Sequence, residues 1–212
     1  MNTPMILAAP IWEKFLDAPV SGAVMVFTIL LSIRAERDEA LKNRLVFQPY
    51  LVVHHNEWHR IFSSGFIHGG WIHLIFNMIT FYYFAFPLEK IFLGSLGFFG
   101  MYMAGMAIAH LPRLIISKDD QTYSSLGASG ALSAVVLSLI MFVPNITLFF
   151  GIDGLTFGVI YILASFILSI ASKRMGMGRI GHDAHLWGAL AGIVLTVIMR
   201  PQTAENILGL LG

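Results

Sequence analysis

The feature that most constrains this chain is a succession of apolar runs broken by short charged or proline-bearing stretches. The runs cover about Val20 to Ile33, Trp71 to Phe86, Phe92 to Leu111, Leu126 to the residue before Pro144, Leu155 to Ala171, and Ala184 to Met199. A helix that crosses a bilayer needs about 20 mostly apolar residues. With 212 residues, 57% of them hydrophobic and only 12% charged, the chain has room for six such spans and little else. A mean hydropathy of +0.76 places it outside the range of ordinary soluble domains. The expected fold is therefore all-α: a polytopic membrane protein of six transmembrane helices joined by short loops.

The segment Leu45 to Gly70 does not fit a span. It holds four of the eight histidines (His54, His55, His59 and His68) with Trp58 and Arg60, residues suited to the headgroup level, so an interfacial loop is expected there. The chain divides into a short N-terminal segment (1–18), a six-span domain (19–200) and a short C-terminal tail (201–212). Glu13, Lys14 and Asp17 make the N-terminus unlike a secretion signal, and no cleaved targeting segment is expected. The 13 basic and 12 acidic residues form no basic stripe, which argues against nucleic acid as a partner. Cysteine is absent, which removes cysteine nucleophiles and thiolate metal sites. No internal repeat supports an inverted-repeat transporter.

Three polar constellations interrupt the apolar runs. At the start of the fourth run the chain reads Gly127-Ala128-Ser129-Gly130. Small residues around a serine serve either as a tight helix-packing seam or to leave a hydroxyl uncovered beside free backbone amides. In the sixth run His185 precedes Gly188 and Gly192, which form a G-x-x-x-G face. His185 is either an interfacial histidine reaching for water or the base that a serine nucleophile needs. If its glycine face packs on the Gly130 and Ala134 face, His185 meets Ser129. In the second run His73 and Asn77 lie four residues apart on one helical face, either as a structural pair or as donors to an oxyanion. A metal site would need further converging ligands, and Asp183 is the only carboxylate near the sixth run, so no metal is expected.

His68, the His73-x-x-x-Asn77 pair, Gly127-x-Ser129-Gly130 and Ala184-His185-x-x-Gly188 occur in the order and span placement of the rhomboid intramembrane serine proteases, which the chain resembles from about residue 46 to 200. The resemblance implies a six-helix rhomboid-like bundle with a membrane-dipping first loop. Ser129 would be the nucleophile and His185 the general base and acid, with His73, Asn77 and the Ser129 amide as oxyanion donors. His68, Gly127, Gly130, Gly188, Gly192 and Arg60 would give structural support. It implies no cofactor, substrates that are single-span or other membrane proteins, and a bacterial cytoplasmic membrane as the setting; the oligomeric state stays open.

Two departures stand out. A tryptophan–arginine pair common in the first loop is here Trp58-His59-Arg60, and the position four residues after the nucleophile, often aromatic, is Ser133. Something else must then hold His185, with His182 or Trp187 the nearest candidates. Orientation is in tension as well. Of the 13 lysines and arginines, only Lys14, Lys90 and Arg200 fall on the side that the family arrangement makes cytoplasmic. The family arrangement is expected nonetheless, the other basic residues serving as headgroup anchors. The rival readings are a non-catalytic relative that binds and escorts membrane helices, and a small transporter, for which His110 and Asp153 add few pathway residues.

Overall fold

The computed structural model describes residues 11–148, 151–174 and 182–211. The architecture is all-helical: α1 (Ile11–Asp17), α2 (Pro19–Arg37), α3 (Glu39–Leu45), α4 (Pro49–His55), α5 (Arg60–Ser63), α6 (Trp71–Pro87), α7 (Gly94–Ile116), α8 (Ser129–Phe142), α9 (Gly154–Arg174), α10 (His182–Met199) and α11 (Gln202–Leu211). The six apolar runs fall on α2, α6, α7, α8, α9 and α10. By length and apolarity Pro19–Arg37, the run Trp71–Ile116 and Gly154–Ala171 each suffice to cross a membrane. The second of these is 46 residues long, more than twice what one crossing needs. It is broken by a π-type turn at Leu88–Leu93 and by Gly94, whose φ of +68° few residues other than glycine adopt.

Helix α8 is the centre of the bundle. Every residue from Gly130 to Ile140 is buried, as expected of a helix apolar on all sides. Its 14 residues span about 21 Å, less than the ~30 Å hydrocarbon thickness, so its N-terminus lies inside the protein. The helix begins at Ser129 and not, as its apolar run suggested, at Leu126. The two residues before it are claimed by other partners: Gly127 N–H donates to the Ser64 carbonyl (2.9 Å), Gly127 takes φ +118°, and Ala128 N–H donates to His68 Nε2 (3.3 Å).

Two other boundaries differ from expectation. Helix α2 continues past Ile33 to Arg37, because Arg34 and Arg37 sit favourably in a last turn. Helix α7 runs through Pro112 to Ile116, although proline removes one helical bond. Arg113, the next residue, holds that turn by tertiary contacts described below. Buried Glu89 joins the N-terminal half of the bundle: its carboxylate accepts from Val20 N–H (3.1 Å), Ser21 N–H (2.6 Å) and Ser95 Oγ (2.7 Å). It thereby caps α2, which begins with Pro19 and has no side-chain cap from its own N-cap residue.

The segment between α2 and α6 consists of α3, α4, α5 and a 3₁₀ turn (Ser64–Phe66), each far too short to span. A small core of Phe47, Val52 and Ile61 packs it against Ala107, Leu114 and Tyr123. Arg60 organises it from within. Its guanidinium bonds Glu57 Oε2 (2.6 Å) and the carbonyls of Asn43 (2.7 Å) and Val46 (2.9 Å). Trp58, by contrast, is exposed, and His59 Nε2 lies 3.1 Å from the Arg44 carbonyl. Within the short C-terminal tail, α11 turns away from α10 by 113°.

Candidate active site

The seam between α8 and α10 sets the geometry. A Cβ built on Gly188 would collide with the carbonyl oxygen of Gly130, and one on Gly192 with the carbonyl oxygen of Ala134. Gly130 in turn faces Ala184 and, on the other side, Ala109 of α7. Only glycine lets the two backbones approach this far. The consequence lies three residues before Gly188: His185 Nε2 is 2.7 Å from Ser129 Oγ. The nitrogen and the hydroxyl are within ordinary hydrogen-bond reach, and both residues are half-buried.

Ser129 is the first residue of α8, and the first amides of a helix have no acceptor within it. Beside that helix start lies a cavity lined by Ser129. His73 enters that space from α6. Its ring lies so close to Gly127 that an added Cβ would come within 2.6 Å of His73 Cε1. Asn77 is buried one turn further on, and its Nδ2 donates to the His73 carbonyl (2.8 Å). That bond takes one of the two N–H donors of the Asn77 amide, and Asn77 lines a cavity together with Ser129.

His68 is a support for the loop that leads into α8. Ser32 Oγ donates to the Phe66 carbonyl (3.2 Å) and so accepts from His68 Nδ1 (3.0 Å), which leaves Nε2 bare to accept from Ala128 N–H. Burial, with His73 close by, pushes its pKa down to about 3, so the ring is neutral in this network. Its edge meets the His73 ring at 5.0 Å.

Two cavities meet at the pair. One, of about 290 Å³, is lined by His73, His110, Ser125 and Gly127 together with Ser129 and His185. The other, of about 250 Å³, lies between α6, α8 and α9 and is lined by Phe76, Asn77, Thr80, Phe157 and Tyr161, again with Ser129 and His185. The first is lined in part by the loop before α8, the second by side chains of α6 and α9. Among the described residues no three histidine, aspartate or glutamate side chains converge as a metal site would require.

Sequence reasoning missed Tyr161. With Ser133 at the position where an aromatic ring was expected, the structure supplies one from α9: Tyr161 OH is 2.6 Å from Ser133 Oγ, which also donates to the Ser129 carbonyl (2.7 Å). Tyr161 and His185 line the same cavity. Trp187, one of the two candidates for steadying His185, is substantially exposed, and the side chain of His182 lies outside the described residues. The signal for Tyr161 was faint, a lone tyrosine in an apolar run, and nothing local in the sequence pairs it with Ser133.

Residues 55–202 match the family model of the Rhomboid domain. A protein of Bacillus subtilis (strain 168) named "Putative rhomboid protease YdcA" is 26% identical over 151 residues, 70% of each chain. Two proteins of Arabidopsis thaliana, "Rhomboid-like protein 16, chloroplastic" and "RHOMBOID-like protein 5", are 26% and 27% identical over 66% and 77% of this chain. The chain spans about half the length of these plant relatives, 47% and 49%. The match covers every element that builds the site, from α6 to α10, and the chain belongs to the rhomboid family of integral membrane proteins.

Proposed function

We propose that the protein is an intramembrane serine endopeptidase that cleaves transmembrane or juxtamembrane segments of other membrane proteins. The observation that carries the reading is the 2.7 Å approach of His185 Nε2 to Ser129 Oγ at the meeting point of two cavities. A serine hydroxyl is a weak nucleophile until a base takes its proton, and histidine is the side chain whose ordinary pKa suits that exchange.

A substrate segment enters from the apolar cavity between α6 and α9, and Ser129 Oγ attacks its carbonyl while His185 takes the proton. His73 and the backbone amides at the start of α8 face the oxyanion, joined by the second N–H of the Asn77 amide. His185 then returns the proton to the leaving amine, and water from the loop-side cavity hydrolyses the acyl-enzyme. The chemistry needs no cofactor. Segments of small residues with weak helix propensity are the favoured substrates, since the scissile backbone must leave its helix to reach the serine.

The test is cleavage of a single-span reporter by the purified protein in detergent, beside Ser129→Ala and His185→Ala matched for folding. The expected result is cleavage by the wild type and a loss of orders of magnitude in both variants. Equal cleavage by all three assigns the activity to a contaminant. No cleavage across several reporters leaves the helix-binding relative as the better reading.

A further inference from the structure

A second polar cluster lies beside the pair and takes no part in the chemistry. Asp183, two residues before His185, is 5% exposed. Its carboxylate meets Arg113 Nη2 of α7 at 2.5 Å and accepts from Ser169 Oγ of α9. The same guanidinium lies over the Tyr123 ring, 4.8 Å to the centroid, in the loop that runs from α7 to Ser129. Its Nε is buried without a hydrogen-bond partner among the described atoms. One ion pair thus joins α7, α9, the first turn of α10 and the loop before α8.

Stability alone does not account for it. Burying two charges costs several kcal/mol before their attraction is counted, and a well-packed apolar pair often does better. What such a pair can give is register, because displacing Arg113, itself 18% exposed, strands the buried Asp183 carboxylate. Register is what this place demands. The glycine seam fixes how closely α10 approaches α8, with Ala184 packed on Gly130, whereas the side of the same turn that faces α7 and α9 is held by Asp183. That turn follows residues 175–181 and is held on the α7 side by Arg113.

We propose that Arg113 and Asp183 are positioning residues for the reaction: their largely buried ion pair fixes the first turn of α10 against α7 and the Tyr123 loop, and so holds His185 on Ser129. The inference rests on the protease reading above and deepens it. A displacement of about 1 Å at a reacting pair costs up to about 100-fold in rate, so the pair's contribution appears in turnover and not in substrate affinity.

The test uses the full chain in detergent with a fluorescent fluorophosphonate, which labels a serine only when its base is in place, and with the reporter substrate. The end-point of labelling counts competent sites, and its rate per competent site reads the geometry. The variants are Asp183→Asn, the double variant Arg113→Gln with Asp183→Asn, and Asp183→Glu. The double variant strands no charge and so keeps the experiment informative where the single variant fails to fold. The expected result is a rate per competent site and a kcat lowered by at least about tenfold in the first two, with KM nearly unchanged, and partial recovery in Asp183→Glu. A lowered end-point with a wild-type rate per site overturns the proposal, the pair then being structural only. A wild type that the phosphonate leaves unlabelled at Ser129 overturns the protease reading itself, and this inference with it.

Discussion

The two flanks of Ser129 are built on opposite principles. Towards α10 the backbones touch, with glycine at each crossing and no space for a methyl group. Towards α6 and α9 there is a cavity, and the outward residues Phe76, Ile79, Ile160 and Leu163 are exposed by 43% to 66%. The closed flank sets the distance between the Ser129 hydroxyl and the His185 ring, where interior packing transmits any displacement. The open flank has no such duty, and on the protease reading proposed above it is where a substrate segment enters. A hydrolase working on helices needs both, because a rigid site without an entrance admits nothing and an entrance beside a loose site does no chemistry.

The largest expected effect breaks the closed flank. In Gly188→Ala the new Cβ meets the Gly130 carbonyl, an atom of backbone that cannot swing aside, so α10 must withdraw. Cleavage of the reporter should fall by about 100-fold, on the scale of a 1 Å displacement between reacting groups, with a lower unfolding temperature. Phe76→Ala on the open flank is the contrast. At 66% exposure its side chain holds little of the fold, and stability should stay within about 0.5 kcal/mol of wild type. Equal losses in the two variants would erase the distinction between the flanks.

The same contrast explains what was legible in the sequence. The closed flank was readable because its devices are local: Gly188 and Gly192 fall on one helical face with His185, and Gly130 and Ala134 on another with Ser129. The apolar runs were readable for the same reason, each being a property of consecutive residues. The open flank was not, because the partnership of Ser133 and Tyr161 joins residues 28 apart on separate helices. Glu89, which reaches back 69 residues to the amide of Val20, was equally hidden. Nor did the sequence place the start of α8 at Ser129, since three tertiary partners, His68, Ser64 and His73, decide the conformation of the residues before it.

The loop that delivers Ser129 to the closed flank gives the next prediction. His68 accepts from Ala128 N–H only while its Nε2 is bare, and its pKa is lowered to about 3 by burial. The unfolded value is about 6.5, so protonation favours the unfolded chain. The contribution of His68 to stability is therefore complete above about pH 6.5 and is lost as pH falls from there towards 3, by up to about 1.4 kcal/mol per unit. Thermal unfolding in detergent at pH 7.5, 6 and 5 should show His68→Asn less stable than wild type at pH 7.5, with the deficit shrinking at each step down. A deficit that is constant over this range would show that the neutral ring is not what holds the loop.

The smallest effect belongs to the open flank's one polar link to the site. Tyr161→Phe keeps the ring that lines the cavity with His185 and removes only the hydroxyl 2.6 Å from Ser133 Oγ. One neutral hydrogen bond is worth about 1 kcal/mol, or roughly fivefold in a rate if it acts wholly on the transition state. Ser133 Oγ keeps its bond to the Ser129 carbonyl, so the start of α8 is not released. Reporter cleavage should fall by a few-fold at most, whereas Tyr161→Ala, which empties the ring's place against Phe157 (6.1 Å between centroids), should lose distinctly more. If Tyr161→Phe instead approached the loss in Gly188→Ala, the open flank would be fixing the geometry of the pair as well, and the division of labour between the two sides of Ser129 would have to be abandoned.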